Sequence, residues 1–135
     1  MRYVFDSSAI FRAIKENRID VLVGGCTLEL ARYEMGNILW KNYTLQAKVT
    51  ERELRSLAKL IKKILNIMEI VQINCSEEEI LDIAAKMKIT FYDASYVHYA
   101  KTKELTLITE DGELLKKITP YVKALKLNEI ANQVS

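Results

Sequence analysis

The sequence contains few of the residues that interrupt regular structure: Pro120 is the only proline, and there are four glycines in 135 residues. It has no internal repeat, no low-complexity segment and no stretch with the composition of a linker. Half of the residues are apolar, which suits one sizeable hydrophobic core at this length. We therefore expect a single domain that spans residues 1–135.

Histidine and cysteine, the usual ligands of zinc, are also scarce. His98 is the only histidine, and Cys26 and Cys75 lie far apart without a Cys-x-x-Cys spacing. Protein zinc sites combine several such residues at short spacings, so the sequence argues against a zinc centre. Each cysteine adjoins an apolar segment. A disulfide and two buried thiols both suit that pattern, and a reducing compartment favours buried thiols.

The chain also lacks long apolar runs and an excess of one charge. No stretch approaches the length of a membrane span, and the run from Met1 to Phe5 is too short for a signal peptide. We therefore expect a soluble, cytoplasmic protein with no membrane partner. Twenty basic and eighteen acidic residues leave a net charge of +2, so no strong overall field indicates nucleic-acid binding and any basic patch is local.

The spacing of apolar residues alternates between strand and helix along the sequence. Predicted strands cover residues 2–5, 67–73, 106–109 and 121–125. Predicted helices start at residues 6–8 and cover 28–42, 51–66, 77–87 and 92–103, and a short tail helix starts at Asn128. Such alternation predicts an α/β fold in which helices cover a parallel sheet.

Polar residues mark three of the predicted helix starts. Asp6-Ser7-Ser8 follows the first strand, and its short side chains can cap the free N–H groups of a helix. Thr50 with Glu53, and Ser76 with Glu79, fit the capping-box pattern. We therefore expect a reciprocal cap at each of these two pairs.

Four acidic residues do not suit the solvated helix face on which most of the others lie. Asp6 and Asp111 each follow a predicted strand, at the edge where open α/β sheets place their binding crevices. Glu34 shares an apolar helical stripe, with Asn37 about one turn further along, and Asp93 lies at the start of an apolar, aromatic helix. A lone buried carboxylate is costly unless it is paired or bound to a metal. These four residues therefore form a candidate site.

Each of the four also has an ordinary structural explanation. Helix capping would account for Asp6 or Asp93, and a turn would account for Asp111. A salt bridge would account for Glu34, and the nearby basic residues are Arg32 and Lys41. Each explanation covers one residue, and capping alone does not explain four carboxylates at strand ends or on inward helix faces.

Four segments around these acids match a known pattern. They are Val4-Phe5-Asp6-Ser7-Ser8-Ala9, Glu34 with Asn37, Thr90-Phe91-Tyr92-Asp93-Ala94-Ser95-Tyr96, and Leu107-Ile108-Thr109-Glu110-Asp111. The chain resembles, over nearly its whole length, the PIN-domain nucleases and in particular the small VapC-type toxins of prokaryotic toxin–antitoxin pairs. The Tyr-Asp-Ala and Thr-x-Asp segments are the most specific parts of that resemblance.

The resemblance implies both a fold and a site. The fold is a PIN-like three-layer α/β/α sandwich with a central, mainly parallel sheet flanked by helices. The implied catalytic and metal-binding residues are Asp6, Glu34, Asp93 and Asp111, with Ser8, Asn37 and Thr109 as polar helpers. Glu110, next to Asp111, competes for the same position. A homodimer is implied as well.

The chemistry of these residues suits metal-dependent hydrolysis. Mg²⁺ and Mn²⁺ are hard cations that take oxygen ligands and keep several waters. Such an ion activates a bound water and offsets charge on the scissile phosphate, so no covalent nucleophile is required. Ser7 and Ser8 also lack an obvious histidine partner, because His98 lies one turn into the Asp93 helix. We expect His98 to be a packing or surface residue.

Local basic and aromatic residues are candidates for contacts to the substrate. Arg12 and Lys15 follow Asp6 on the same predicted helix and are favoured for phosphate contacts. Tyr96 and Tyr99 lie near Asp93, where base stacking and a place in the core or a dimer surface are equally compatible with the sequence.

The leading interpretation is a metal-dependent endoribonuclease using Mg²⁺ or Mn²⁺. It would be the toxin of a type II toxin–antitoxin pair, with RNA as substrate and a small VapB-type antitoxin covering the acidic site. One alternative gives the same chemistry to RNA maturation or decay without an antitoxin; a short DNA-binding protein encoded beside this chain would favour the toxin. Another is an inert PIN-fold binding module, whose signature, the loss of a carboxylate, is not seen. A haloacid-type phosphatase needs Asp-x-Asp where this chain has Asp6-Ser7-Ser8.

Overall fold

The computed structural model describes residues 2–133, which form an α/β fold around a five-stranded sheet. The strand order is β3-β2-β1-β4-β5, and every neighbouring pair is parallel. Parallel neighbours need crossover connections, and helices supply most of them here. The strands are β1 (Tyr3–Phe5), β2 (Cys26–Leu28), β3 (Glu69–Val71), β4 (Thr106–Ile108) and β5 (Ala124–Leu125).

The helices cover both faces of the sheet. They are α1 (Ser7–Lys15), α2 (Leu30–Trp40), α3 (Glu51–Ile67), α4 (Glu77–Met87), α5 (Phe91–Lys103) and α6 (Gly112–Ile118). A π-helical turn, Lys41–Leu45, continues α2, and 3₁₀ helices cover Ile19–Leu22 and Leu127–Gln133. Along these residues, no helix is both long and apolar enough to cross a membrane.

Alternate strand residues pack into two separate cores, as side chains on opposite sides of a pleated sheet must. Phe5 and Ile108 pack with α1, α2 and α3 on one face. Val4 and Leu107 pack with α4, α5 and α6 on the other. The molecule is therefore a three-layer α/β/α sandwich with a parallel central sheet, and the predicted fold class is confirmed.

The two predicted capping boxes have different outcomes. Thr50 accepts a hydrogen bond from the Glu53 amide at 3.1 Å, and the Glu53 carboxylate accepts one from the Thr50 amide at 2.8 Å, so this box is confirmed. The box at Ser76 is wrong, although α4 starts where it was predicted, because the Ser76 side chain caps no described amide. Ser76 has ψ 17°, which is outside the extended region of a capping residue, and its hydroxyl donates to the Asn74 carbonyl at 3.4 Å.

Five other elements differ from the prediction. The predicted helix over residues 28–42 begins at Leu30, because Cys26–Leu28 forms β2, the strand between β1 and β3. Helix α6 was not predicted at all. The strands predicted over 67–73 and 121–125 exist, but each is shorter than expected.

The cysteines are free thiols in two different settings. Cys26 is buried in the sheet, in agreement with the expectation. Cys75 is exposed, so the expectation of a second buried thiol is wrong. Its backbone has φ +60° in the connection between β3 and α4, where the chain turns at the surface.

Candidate active site

Asp6 lies directly after the central strand, β1, and caps α1 at the carboxyl edge of the sheet. Its carboxylate Oδ1 accepts hydrogen bonds from the Ala9 amide at 2.9 Å and the Ser8 hydroxyl at 2.6 Å. Asp6 is therefore a helix cap, as one explanation required, but it is also only 6% exposed. Burial raises its pKa to about 6, the charge of Asp93 adds to the increase, and hydrogen bonds from Ser8, Thr109 and Ala9 oppose it.

Glu34 lies on α2 and is half-buried. The salt bridge considered from the sequence does not involve Arg32, because Arg32 binds Glu29 at 2.6 Å. Glu34 instead accepts a hydrogen bond at 3.0 Å from the hydroxyl of Tyr96, which is 1% exposed on α5. Burial raises the Glu34 pKa, the Asp93 charge raises it further, and the Tyr96 hydrogen bond lowers it.

Asp93 lies in the first turn of α5, where another residue takes the capping role. The Thr90 side chain accepts from the Asp93 amide at 3.0 Å, so capping does not explain the Asp93 carboxylate. Burial raises the pKa of Asp93, and the charge of Asp111 raises it further. Asp93 is thus electrostatically coupled to Asp6, Glu34 and Asp111.

Asp111 is exposed and caps α6. Its Oδ1 accepts from the Glu113 and Leu114 amides at 3.0 and 3.1 Å, so it begins a helix where the sequence suggested a turn. Its neighbour Glu110 binds elsewhere, accepting from Arg12 Nε at 3.1 Å and from the Leu127 amide at 2.7 Å. Of the two adjacent acids, Asp111 is therefore the one coupled to Asp93.

The connections after β1 and β4 are joined by hydroxyl groups. Ser8 Oγ lies 3.3 Å from the hydroxyl of buried Thr109 and accepts from the Glu110 amide at 2.9 Å. Thr109 in turn accepts from the Asp111 amide at 3.2 Å. This network links the backbone that carries Asp6 to the backbone that carries Asp111. Asn37 is exposed on α2, near Glu34 in sequence.

A groove adjoins these acids on the α1 side. It has a volume of about 370 Å³ and is lined by Ser8, Phe11, Arg12, Lys15, Ile38, Asn42 and Glu110. Arg12 pairs with Glu110 and, at 3.5 Å, with Glu16, while Lys15 is exposed. Both basic residues named from the sequence therefore border the same groove.

The acidic side chains do not converge on one point. Among residues 2–133, no three His, Cys, Asp or Glu side chains are close enough together to hold one metal ion by themselves. The donor set is made of carboxylate and hydroxyl oxygens, which is the chemistry that Mg²⁺ and Mn²⁺ prefer.

Sequence reasoning missed one contributor to the geometry. Tyr96 was considered for base stacking or a place in the core, and it is a core residue whose hydroxyl orients Glu34. The signal that would have found it is its spacing of three residues from Asp93, which predicts that the two lie on adjoining faces of one helix. His98 is half-buried beside Thr102, as a packing residue would be.

The parallel sheet with carboxylates at its carboxyl edge agrees with the fold and the site that the sequence resemblance implied. The family model of the PIN domain matches residues 3–119. The chain is a member of the PIN-domain family.

Known proteins with similar sequences or structures agree with this assignment. The chain is 32% identical over 119 residues to Exonuclease VapC9 of Pyrobaculum aerophilum, covering 87% of this chain and 86% of that protein. PAE2754 from Pyrobaculum aerophilum has a crystal structure that matches with a TM-score of 0.79 and 29% identity over 98% of this chain and 97% of that one. A toxin–antitoxin complex from Klebsiella pneumoniae shares the fold at 14% identity, with a TM-score of 0.67 over 93% and 97% of the two chains. The resemblance to VapC-type PIN proteins is confirmed.

Proposed function

We propose that this protein is a metal-dependent endoribonuclease and the toxin of a type II toxin–antitoxin pair. The proposal rests on the surroundings of Asp6. Its carboxylate is only 6% exposed, and its pKa is raised by burial and, in addition, by the charge of Asp93. Burying like charges together is unfavourable unless a cation offsets them. Such an arrangement is typical of a site kept for function rather than for stability.

Asp6, Glu34, Asp93 and Asp111 are the proposed ligands of Mg²⁺ or Mn²⁺. Magnesium keeps several waters and is usually bound by one or two carboxylates together with substrate phosphate, so a closed cage of side chains is not required. When bound, the ion supplies an activated water and offsets charge on the phosphate.

The other polar residues hold this arrangement in place. Ser8 and Thr109 join the two connections that bear Asp6 and Asp111. Tyr96 donates a hydrogen bond to the Glu34 carboxylate, whose pKa is raised in part by the charge of Asp93. Arg12 and Lys15 are proposed to contact phosphates of a strand in the adjoining groove, and Asn37 is proposed as a polar helper beside Glu34.

The proposed partners follow from the relatives. The similar Klebsiella protein is part of a toxin–antitoxin complex, which supports a small VapB-type antitoxin for this chain. We also infer a homodimer, because the family resemblance implies one.

A purified-protein assay tests the proposal. Labelled linear RNA, circular RNA and single-stranded DNA are incubated with Mg²⁺, Mn²⁺ or chelator, with Asp93→Asn as the matched inactive variant. Cleavage of RNA that requires metal and wild-type Asp93 is expected, and equal cleavage in chelator would contradict the metal role.

Exonuclease activity is the second candidate, because the 32% identical relative is named an exonuclease. Circular RNA separates the two modes, since it has no end from which an exonuclease can begin. Cleavage of the circle supports the endonuclease, whereas degradation of only the linear RNA supports the exonuclease.

A further inference from the structure

Thr27 is a fully buried polar residue inside the sheet. It lies in β2, between β1 and β3, and is 0% exposed. Valine has a similar branched shape and also favours strands, and it has no hydroxyl group that must be hydrogen-bonded when it is buried. The strand alone therefore gives no reason for a threonine at this position. The contacts of the hydroxyl group supply one.

The Thr27 hydroxyl connects β1 with α5. It donates a hydrogen bond at 2.6 Å to the backbone carbonyl of Phe5, the residue directly before Asp6. It is also hydrogen-bonded to the hydroxyl of Tyr96. Burial raises the pKa of Tyr96, the charges of nearby carboxylates raise it further, and the hydrogen bond from Thr27 opposes them, as a donor to the phenol oxygen does. The single Thr27 proton is thus shared between two acceptors.

Tyr96 passes this constraint on to Glu34. Its own proton is donated to the Glu34 carboxylate at 3.0 Å. A hydroxyl that accepts one hydrogen bond donates a stronger one, because the two bonds polarise each other. Ser7, on α1, also hydrogen-bonds Glu34. The carboxylate is therefore held from two sides, and the contact from the sheet begins at Thr27.

Two hydroxyl networks meet where β1 ends. Ser8 and Thr109 join the connection after β1 to the connection after β4. Thr27 and Tyr96 join the end of β1 to Glu34 on α2. Since β1 leads directly into the buried acid that caps α1, the two networks together relate that acid to the acids on either side of it.

We propose that Thr27 is a positioning residue that holds the Tyr96 hydroxyl, and through it the Glu34 carboxylate, in a fixed place relative to the end of β1. The inference rests on the proposed function and adds a residue to its site. Thr27 is too deeply buried to touch a substrate, so it acts only through Tyr96. Removing a side chain that orients a metal ligand typically costs about 10- to 100-fold in metal affinity or activity. Thr27 is one contact further away and belongs at the lower end of that range.

Cleavage by purified variants tests the proposal. Thr27→Val removes the hydroxyl, keeps the branched shape, and should lower kcat of metal-dependent RNA cleavage about tenfold. Thr27→Ser restores a hydroxyl and should recover most of that loss. In a Tyr96→Phe background, Thr27→Val should cost less than about twofold more, because both changes break the same chain of contacts. Full activity in Thr27→Val, or losses that multiply in the double variant, would overturn the proposal.

A spectroscopic measurement follows the Tyr96 hydroxyl without RNA or metal. Labelling the tyrosine Cζ with ¹³C gives one resonance for each of the seven tyrosines, and Tyr96→Phe identifies that of Tyr96. Thr27→Val should shift this resonance, and Thr27→Ser should return it toward the wild-type position. Thr106→Val, at a buried threonine that begins β4, is the matched control and should leave both the resonance and cleavage unchanged. Thr27→Ala, which also lacks the hydroxyl, replaces Thr27→Val if that variant does not fold.

The outcomes separate this inference from the proposed function. If the wild type cleaves no RNA, the proposed function fails, and the resonance still decides whether Thr27 holds the Tyr96 hydroxyl. Metal-dependent cleavage together with an unmoved resonance in Thr27→Val overturns the inference and leaves the nuclease standing. A shifted resonance with unchanged kcat would give Thr27 a role in the fold alone and would overturn its positioning role.

Discussion

Asp6 stabilises the fold as a helix cap and destabilises it as a buried negative charge. As a helix cap it accepts two hydrogen bonds through Oδ1, which stabilises the start of α1. As a buried charge it is unfavourable, because its pKa rises from 3.8 to about 6 on folding. At pH values between 3.8 and about 6, Asp6 therefore takes up a proton when the protein folds. The stabilising contribution of protonated Asp6 is complete below pH 3.8 and is lost as the pH rises through about 6.

Asp6→Asn should therefore melt above the wild type at pH 7 in chelator. The amide keeps the cap and removes the buried charge, whose cost is at most about 3 kcal/mol from the pKa shift. Thermal melting from pH 4 to pH 8 checks this, and the difference should shrink toward pH 4. Asp6→Ala is the control, because it also loses a cap worth about 1 kcal/mol and should gain less.

Metal should narrow the difference in melting temperature between the wild type and Asp6→Asn. A ligand that binds only the folded state contributes about 2.7 kcal/mol at a hundred times its dissociation constant. Mg²⁺ or Mn²⁺ should raise the melting temperature of the wild type and raise that of Asp6→Asn much less. If Asp6→Asn melted lower in chelator and gained as much from metal, Asp6 would be a structural cap alone.

Tyr96→Phe should move the acid limb of the pH–rate profile to higher pH. The Tyr96 hydroxyl donates to ionised Glu34 and lowers its pKa against the effect of burial, so removing that hydrogen bond should raise the pKa. Tyr99→Phe, on the same helix but beside Cys26 and Arg2, is the control. A profile shifted equally by both variants, or by neither, would remove Tyr96 from the positioning of Glu34.

At the scale of elements, the two capping-box sequences make a matched test. Thr50→Ala removes a hydrogen bond at the start of α3 and should cost about 1 kcal/mol, or about 4 °C in melting temperature. Ser76→Ala should cost less than about 0.5 kcal/mol, since its side chain caps no described amide. Equal losses in the two variants would show that the hydrogen bonds of the first box do not stabilise the helix.

The longer elements were predictable from sequence because their apolar residues repeat over several turns. Helices α3, α4 and α5 start and end within about a residue of the predicted positions. Strand β2 was missed because three buried residues, Cys26–Leu28, run directly into the apolar pattern of α2. Helix α6 was missed because it has only seven residues and begins at Gly112, which favours a turn.

The placement of the acids was predictable for a related reason. Parallel strands end at one edge, so the residues that follow β1 and β4 must lie near one another, as Ser8 and Thr109 do at 3.3 Å. The contacts of Glu110 were not predictable, because its partners Arg12 and the Leu127 amide are remote in sequence. The roles of the four carboxylates as metal ligands stay predictions.

At the scale of the whole molecule, expression in a bacterial host should slow growth. This follows if the coupled carboxylates cleave cellular RNA in the absence of an antitoxin. Asp93→Asn and Glu34→Gln should relieve the effect at equal protein levels, because each removes a ligand charge and keeps the side-chain shape. Growth curves with matched immunoblots provide the measurement. Unimpaired growth at verified high wild-type expression would count against the toxin and leave the nuclease open to the assay on purified protein.

The strand order also determines how much of the chain must be synthesised before the central sheet can form. Strand β1 is made first and lies in the middle of the sheet, but one of its two neighbours is β4. The Glu110 amide that binds Ser8 is 102 positions further along the chain. A nascent chain that has left the ribosome only as far as α5 therefore contains Asp6, Glu34 and Asp93 without the strand and hydroxyl network that complete the crevice. Translation interrupted before β4 yields a polypeptide with three of the four carboxylates and no assembled site.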